Sequence, residues 1–133
     1  SAASDVYKRQ PMPVKIETKL SPSGGKQIAE QIIQSNVTAV FAINDEMAIG
    51  ILRGLREHGK SVPEDISVVG YDNISFSQYM TPALTTVAQP IALIGETALR
   101  LIVKKVTDKA QGVERVELPN KLVIRETTDY LNE

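Results

Sequence analysis

Short apolar runs alternate with stretches of helical period along most of this chain. Residues 38–43 (Thr-Ala-Val-Phe-Ala-Ile) and 66–71 (Ile-Ser-Val-Val-Gly-Tyr) are two such runs. Each has strand length and is mostly apolar without strict alternation, as strands buried on both faces are. Between them Met47, Ala48, Ile51, Leu52 and Leu55 recur on one helical face. Asn44 or Asp45 suits the cap of that helix and Glu46 its positive end. His58-Gly59 ends it, because glycine takes the left-handed terminal conformation cheaply. Residues 85–87 read as a third short strand, and residues 91–107, opened by Pro90, as the longest helix.

Upstream, Val14, Ile16 and Thr18 alternate with Lys15, Glu17 and Lys19, as in a half-buried strand. Ser21-Pro22-Ser23-Gly24-Gly25 reads as a turn and helix start. Ile28, Ala29, Ile32 and Ile33 carry a helix to about Ser35, and two further strand candidates lie near 114–118 and 121–125. Residues 72–84 read as a long irregular loop, a kind of segment that is usually functional in compact domains. Strand and helix alternating three times predicts an α/β fold, a parallel sheet with flanking helices. Residues 1–13, with two prolines and no period, read as a non-native or disordered leader; residues 129–133 read as a polar tail.

Composition removes several classes of function. The formal net charge is -1, so no basic surplus points to nucleic acid or acidic lipid. The chain has no cysteine, which excludes disulfides and thiolate metal sites and fits a reducing compartment. A single histidine, His58 at a helix end, excludes a histidine-rich metal site and argues against a Ser-His-Asp triad. No apolar run approaches the roughly 20 residues that span a bilayer. Gly24-Gly25-Lys26 lacks the remaining residues of a phosphate loop, and neither a dinucleotide fingerprint nor a nucleophile elbow occurs.

Ligands of open parallel sheets bind at the carboxyl ends of the strands. Asn44 follows the first apolar run, Asp72 the second, and Gln89 lies just beyond the third strand. One carboxylate and two carboxamides suit the reading of hydroxyls or ring nitrogens. Phe41, near the end of its strand, offers a flat apolar face to a sugar or base. On spacing alone a second reading stands beside this one, in which Asn44 and Asp45 only cap a helix and Asp72 only starts a turn. Gly50 and Gly54, four apart on one helical face, allow another element to come close, with packing inside the same chain slightly favoured. The last helix is apolar on two sides: Ile91, Ile94, Ala98, Leu101 and Ile102 on one, Leu99, Val103 and Val106 on the other. Such a helix is expected to be buried on most sides, more than this chain can supply.

Three segments together resemble the LacI family of transcription repressors: residues 42–50 (Ala-Ile-Asn-Asp-Glu-Met-Ala-Ile-Gly), residues 62–73 (Val-Pro-Glu-Asp-Ile-Ser-Val-Val-Gly-Tyr-Asp-Asn) and residues 81–90 (Thr-Pro-Ala-Leu-Thr-Thr-Val-Ala-Gln-Pro). Residues 122–127 also look like that family's last strand, and the resemblance covers roughly residues 14–128. It implies part of a periplasmic-binding-protein-like (type I) effector domain, mostly the C-terminal lobe. Residues 14–84 would belong to that lobe, residues 85–107 to the crossover and an N-terminal-lobe helix, and residues 114–128 to the returning strands. It further implies that Asp72 and Asn44 bind the effector, that Phe41 stacks on it, and that Gln89 sits near the pocket. Ile49, Tyr79 and Met80 match dimer-interface positions. The implied protein is a cytoplasmic, homodimeric sensor of a sugar, sugar phosphate or purine, with no enzymatic activity, cofactor, metal or membrane partner.

The family's helix-turn-helix headpiece and the upstream arginine of its pocket do not occur in this sequence. The chain is therefore expected to reach operator DNA only through a headpiece it does not carry, and to hold about half of an effector site. The alternative is a periplasmic sugar-binding protein of a transporter, which shares the lobes. Residues 62–73 and 84–90 look far more like repressors.

Overall fold

The computed structural model describes residues 14–107 and 112–130. The leader 1–13 and most of the loop at 108–112 lie outside the described residues, as do the last three residues of the tail.

The elements in chain order are α1 (Pro22–Gln27), α2 (Ala29–Gln34), β1 (Ala39–Phe41), α3 (Asp45–Glu57), β2 (Ser67–Asp72), a 3-10 helix (Ser75–Tyr79), β3 (Thr85–Ala88), α4 (Ile91–Thr107) and β4 (Lys121–Val123). The four strands form one sheet in the order β1-β2-β3-β4. The first three run parallel, with Val40 opposite Val68 and Asp72 opposite Ala88. β4 returns antiparallel beside β3, with Thr86 opposite Val123. The α/β expectation holds, with one antiparallel strand added at the edge of the parallel sheet.

The core lies between the helices and one face of the sheet. Met47, Ala48, Ile51 and Leu55 of α3 pack with Ile28, Ala29 and Ile32 on one side, and with Ala42, Ile66, Val68 and Leu84 on the other. Close approach of α1 to α3 depends on Gly50 and Gly54. A Cβ at Gly50 would strike the backbone of Pro22, and one at Gly54 would meet Ala29 Cβ at 2.6 Å. The glycine pair therefore serves packing within the chain.

The first helical region differs from expectation. Ser21 caps α1, its Oγ accepting from the Gly24 amide at 3.1 Å, and Pro22 begins the helix. Gly24 and Gly25, which read as a turn, are helical and buried, because a side chain at Gly25 would meet the α3 backbone. The helix breaks at Ile28 and resumes as α2.

Two predicted strands are absent. Residues 14–18 pair with no strand; together with β1 they line a groove of about 880 Å³ instead of extending the sheet. Residues 114–118 are mostly exposed and unpaired, since Glu114, Arg115 and Glu117 leave little apolar surface to bury. α4 forms as predicted, but only Thr97 of it is buried, and Ile91, Leu99, Ile102 and Val106 are exposed. Its apolar faces find no cover among the described residues.

Candidate functional site

The register of β2 with β3 builds the site. Asp72 ends β2 opposite Ala88, which puts Gln89 beside it. Gln89 Nε2 donates to Asp72 Oδ1 at 2.7 Å, and both residues are half-buried. No hydrogen bond to the second carboxylate oxygen occurs among the described residues, so that oxygen can accept from a ligand.

The backbone turns sharply here. Asp72 has φ 107° and Asn73 φ 53°, on the left-handed side that residues other than glycine seldom adopt. Such a conformation costs about 1–3 kcal/mol and persists only where surroundings hold it. Three side chains do so. Asp45 Oδ2 accepts from the Ile74 amide at 2.9 Å. Thr86 Oγ1 accepts from the Asn73 amide at 3.3 Å and donates its own proton to Asp45 Oδ1. Arg125 Nη2 donates to Asn73 Oδ1 at 2.7 Å. Asp45 is fully buried and also lies against Gly70, where no Cβ would fit.

Asn44 is the cap of α3: its Oδ1 accepts from the Met47 amide at 2.8 Å. That commits its carbonyl and leaves its NH2 to donate. Asp45 is not the cap but a tether of the Asp72 corner, a role its spacing did not suggest. No hydrogen bond joins Asn44 to Asp72 or Gln89 among the described residues. Phe41 is 64% exposed and meets Tyr71 edge-on, with centroids 6.5 Å apart and planes at 73°. Tyr71 Oη in turn accepts from Asn120 Nδ2 at 2.8 Å.

Phe41 also lines the apolar groove of about 880 Å³ along β1, whereas Asp72, Gln89 and Asn44 do not. The larger cavity and the polar cluster are thus different places. The groove holds an exposed carboxylate, Glu17, but the carboxylate of the cluster is half-buried and oriented by Gln89, which makes the cluster the better match for a hydroxylated ligand. Ile49 and Met80 line a second groove of about 370 Å³ with Leu52, Val62 and Pro82. Tyr79 is 74% exposed at the end of the 3-10 helix. Among the described residues no cluster of His, Asp or Glu could hold a metal, and no helix is long and apolar enough to cross a membrane.

Sequence reasoning missed Asp45, Asn73, Thr86 and Arg125. Only the Asp-Asn pair at 72–73, both residues that tolerate positive φ, hinted at the turn.

The family described as a periplasmic binding protein-like domain matches residues 4–128, and this chain belongs to it. Within that family it is of the LacI effector-domain type. It is similar to the HTH-type transcriptional repressor PurR of Vibrio vulnificus (strain CMCP6), 40% identical over 99 residues, which are 74% of this chain and 30% of that protein. The HTH-type transcriptional regulator DegA of Bacillus subtilis (strain 168) is 36% identical over 118 residues, 88% of this chain and 35% of that protein. Among solved structures, a LacI family regulator from Enterococcus faecium with bound ribose superposes with TM-score 0.83 at 41% identity, over 96% of this chain and 48% of that one. The lac repressor dimer bound to operator and the anti-inducer ONPF gives TM-score 0.82 at 33% identity, over 95% and 45%. The chain thus spans about a third of these curated relatives and just under half of these solved ones.

Proposed function

We propose that this chain is the effector-sensing and dimerising part of a LacI-family transcription repressor, and that its effector is a small hydroxylated molecule of the sugar class. The observation that carries this reading is the Asp72–Gln89 pair at the carboxyl ends of β2 and β3, held on a clamped, left-handed corner. Gln89 occupies one oxygen of Asp72 and fixes the direction of the other, which suits acceptance from a hydroxyl. The Asn44 NH2, at the carboxyl end of β1, supplies a further donor in this reading. Relatives solved with bound ribose are 41% and 44% identical to this chain, which supports a pentose as the first ligand to test.

In this reading residues 14–84 belong to the C-terminal lobe, residues 85–107 cross to the N-terminal lobe, and residues 114–128 return. The exposed apolar faces of α4 suit contact with that second lobe. Ile49, Tyr79 and Met80 face a second copy in a homodimer. The effector favours one arrangement of the lobes, and it shifts operator affinity only by its differential affinity for the two states. In this reading DNA contact falls to a helix-turn-helix headpiece, as the names of the HTH-type relatives suggest. The protein is a cytoplasmic regulator without catalytic activity or cofactor. The naming of its relatives as repressors and regulators favours this over the transport reading.

A thermal-shift screen of the complete gene product against ribose, lactose, cellobiose, ribose 5-phosphate and guanine tests it. A ligand at about 100 times its dissociation constant adds roughly 2.7 kcal/mol, a visible shift. The expected result is a shift from a sugar that Asp72→Ala abolishes. No shift from any of the five would refute the sensor reading of Asp72.

A further inference from the structure

The corner that carries Asp72 is tied to a residue 52 positions further along the chain. Arg125 lies just beyond β4 and is half-buried. Its guanidinium reaches three elements at once. Nη2 donates to Asn73 Oδ1 at 2.7 Å, while Nη1 donates to the Leu84 carbonyl at 2.7 Å and to Ser77 Oγ at 3.0 Å. Ser77 Oγ passes the contact on, donating to the Ile74 carbonyl at 2.7 Å. One planar fork therefore fixes both ends of the turn that follows Asp72 and the strand start that leads to Gln89. An ammonium group has no such fork.

The segment around Arg125 does not need the guanidinium to stay docked. The Glu126 and Thr127 amides both donate to the Ala83 carbonyl, at 2.9 and 3.1 Å. Glu126 Oε2 accepts from the Ala83 amide at 2.7 Å, and the Arg125 amide donates to Thr85 Oγ1 at 2.8 Å. Thr127 Oγ1 donates to the Val68 carbonyl at 2.6 Å and accepts from the Thr85 amide at 2.8 Å. Backbone and threonine contacts hold the segment, and the guanidinium is spent on the corner.

We infer that Arg125 is a positioning residue for the effector-binding carboxylate of Asp72: through Asn73 it sets the orientation of Asp72 and so links the segment after β4 to effector affinity. This rests on the reading of Asp72 as an effector ligand. Asp72 itself has φ 107°, so without its tethers the corner relaxes toward commoner backbone conformations and the carboxylate turns with it. Because Arg125 acts through Asn73 Oδ1, the two residues form one unit and their losses do not multiply.

The test uses the complete gene product, titrated calorimetrically with whichever of the five compounds above gives the wild type its largest shift. Asn73→Gly keeps the positive φ accessible and removes only the acceptor. Arg125→Lys keeps the charge and removes the fork. Each is expected to weaken binding about tenfold, the double variant no more than the weaker-binding single, and Asn73→Asp, which keeps an acceptor oxygen, to stay within about twofold of wild type. Thr127→Val, which loosens the same segment without touching the guanidinium, is expected to lower the melting temperature and leave affinity within about twofold. Single variants that bind like wild type, or losses that multiply in the double variant, would overturn the inference while leaving Asp72 as a ligand. A wild type that binds none of the five overturns the reading of Asp72, and the inference with it.

Discussion

Replacing Gly50 by alanine sets two effects against each other, and the structure decides the sign. Glycine inside a helix costs about 1 kcal/mol relative to alanine, so propensity alone predicts that Gly50→Ala stabilises α3. The added Cβ would land on the Pro22 carbonyl oxygen, within 2.7 Å of its carbon and 2.9 Å of its Cα. These are backbone atoms of α1 and no rotamer change removes them. α1 must move off α3, and because α2 follows it after a single residue, the packing of Ala29 and Ile32 of α2 with Ile51 and Leu55 is disturbed as well. Overpacking of this kind costs typically 1–3 kcal/mol, and more where backbone must shift. We expect a net destabilisation of about 1–2 kcal/mol. Gly95, inside α4, is the control, since its Cβ would meet nothing within 4 Å. Gly95→Ala is expected to stabilise by about 0.5–1 kcal/mol. Urea unfolding of the 133-residue chain, followed by circular dichroism at 222 nm, reads both. With a slope of about 1.5 kcal/mol/M the midpoint falls by about 1 M for Gly50→Ala and rises by about 0.5 M for Gly95→Ala. A rise for both would refute the close α1–α3 contact.

Two further expectations follow from named hydrogen bonds. Thr127→Val is nearly isosteric but strips the hydroxyl that serves the Val68 carbonyl and the Thr85 amide at a fully buried position. It should cost about 2–4 kcal/mol in urea unfolding, with Thr127→Ser recovering most of it; a wild-type midpoint for the valine variant would contradict the bonding described. Glu57 accepts from Lys26 of α1 at 2.8 Å and from Arg53 at 2.8 Å, and these bonds, Lys26 first, hold its carboxyl down at about 2 against an ordinary 4.5. A lowered carboxylate stabilises the fold above about pH 4.5, and that contribution disappears as pH falls through about 2. Lys26→Met should move the Glu57 carboxyl back toward the ordinary value in a carbon-13 NMR titration; a wild-type Glu57 that titrates near 4.5 would show that these bonds do not form in solution.

What the sequence determined by itself is the set of elements whose signals are local. Apolar runs with helical stretches between them marked β1, α3, β2, β3 and α4, because hydrophobic period and capping chemistry act over a few residues. Asn44 was legible as a cap, the Gly50–Gly54 pair as a close approach, and residues 42–50, 62–73 and 81–90 as a family resemblance. Tertiary structure decided whether a strand-like stretch had a partner: residues 14–18 alternate as a strand does, yet they line a groove with β1 and join no ladder. It also decided the working shape of the site. Asp72 was visible as a candidate, but its left-handed backbone was not. That conformation is held by Asp45, Thr86 and Arg125, from separate parts of the chain, and the register of β2 on β3 brings Gln89 to its side. Contacts across 13 to 52 residues leave no periodic trace, so only the assembled sheet shows which polar side chains meet.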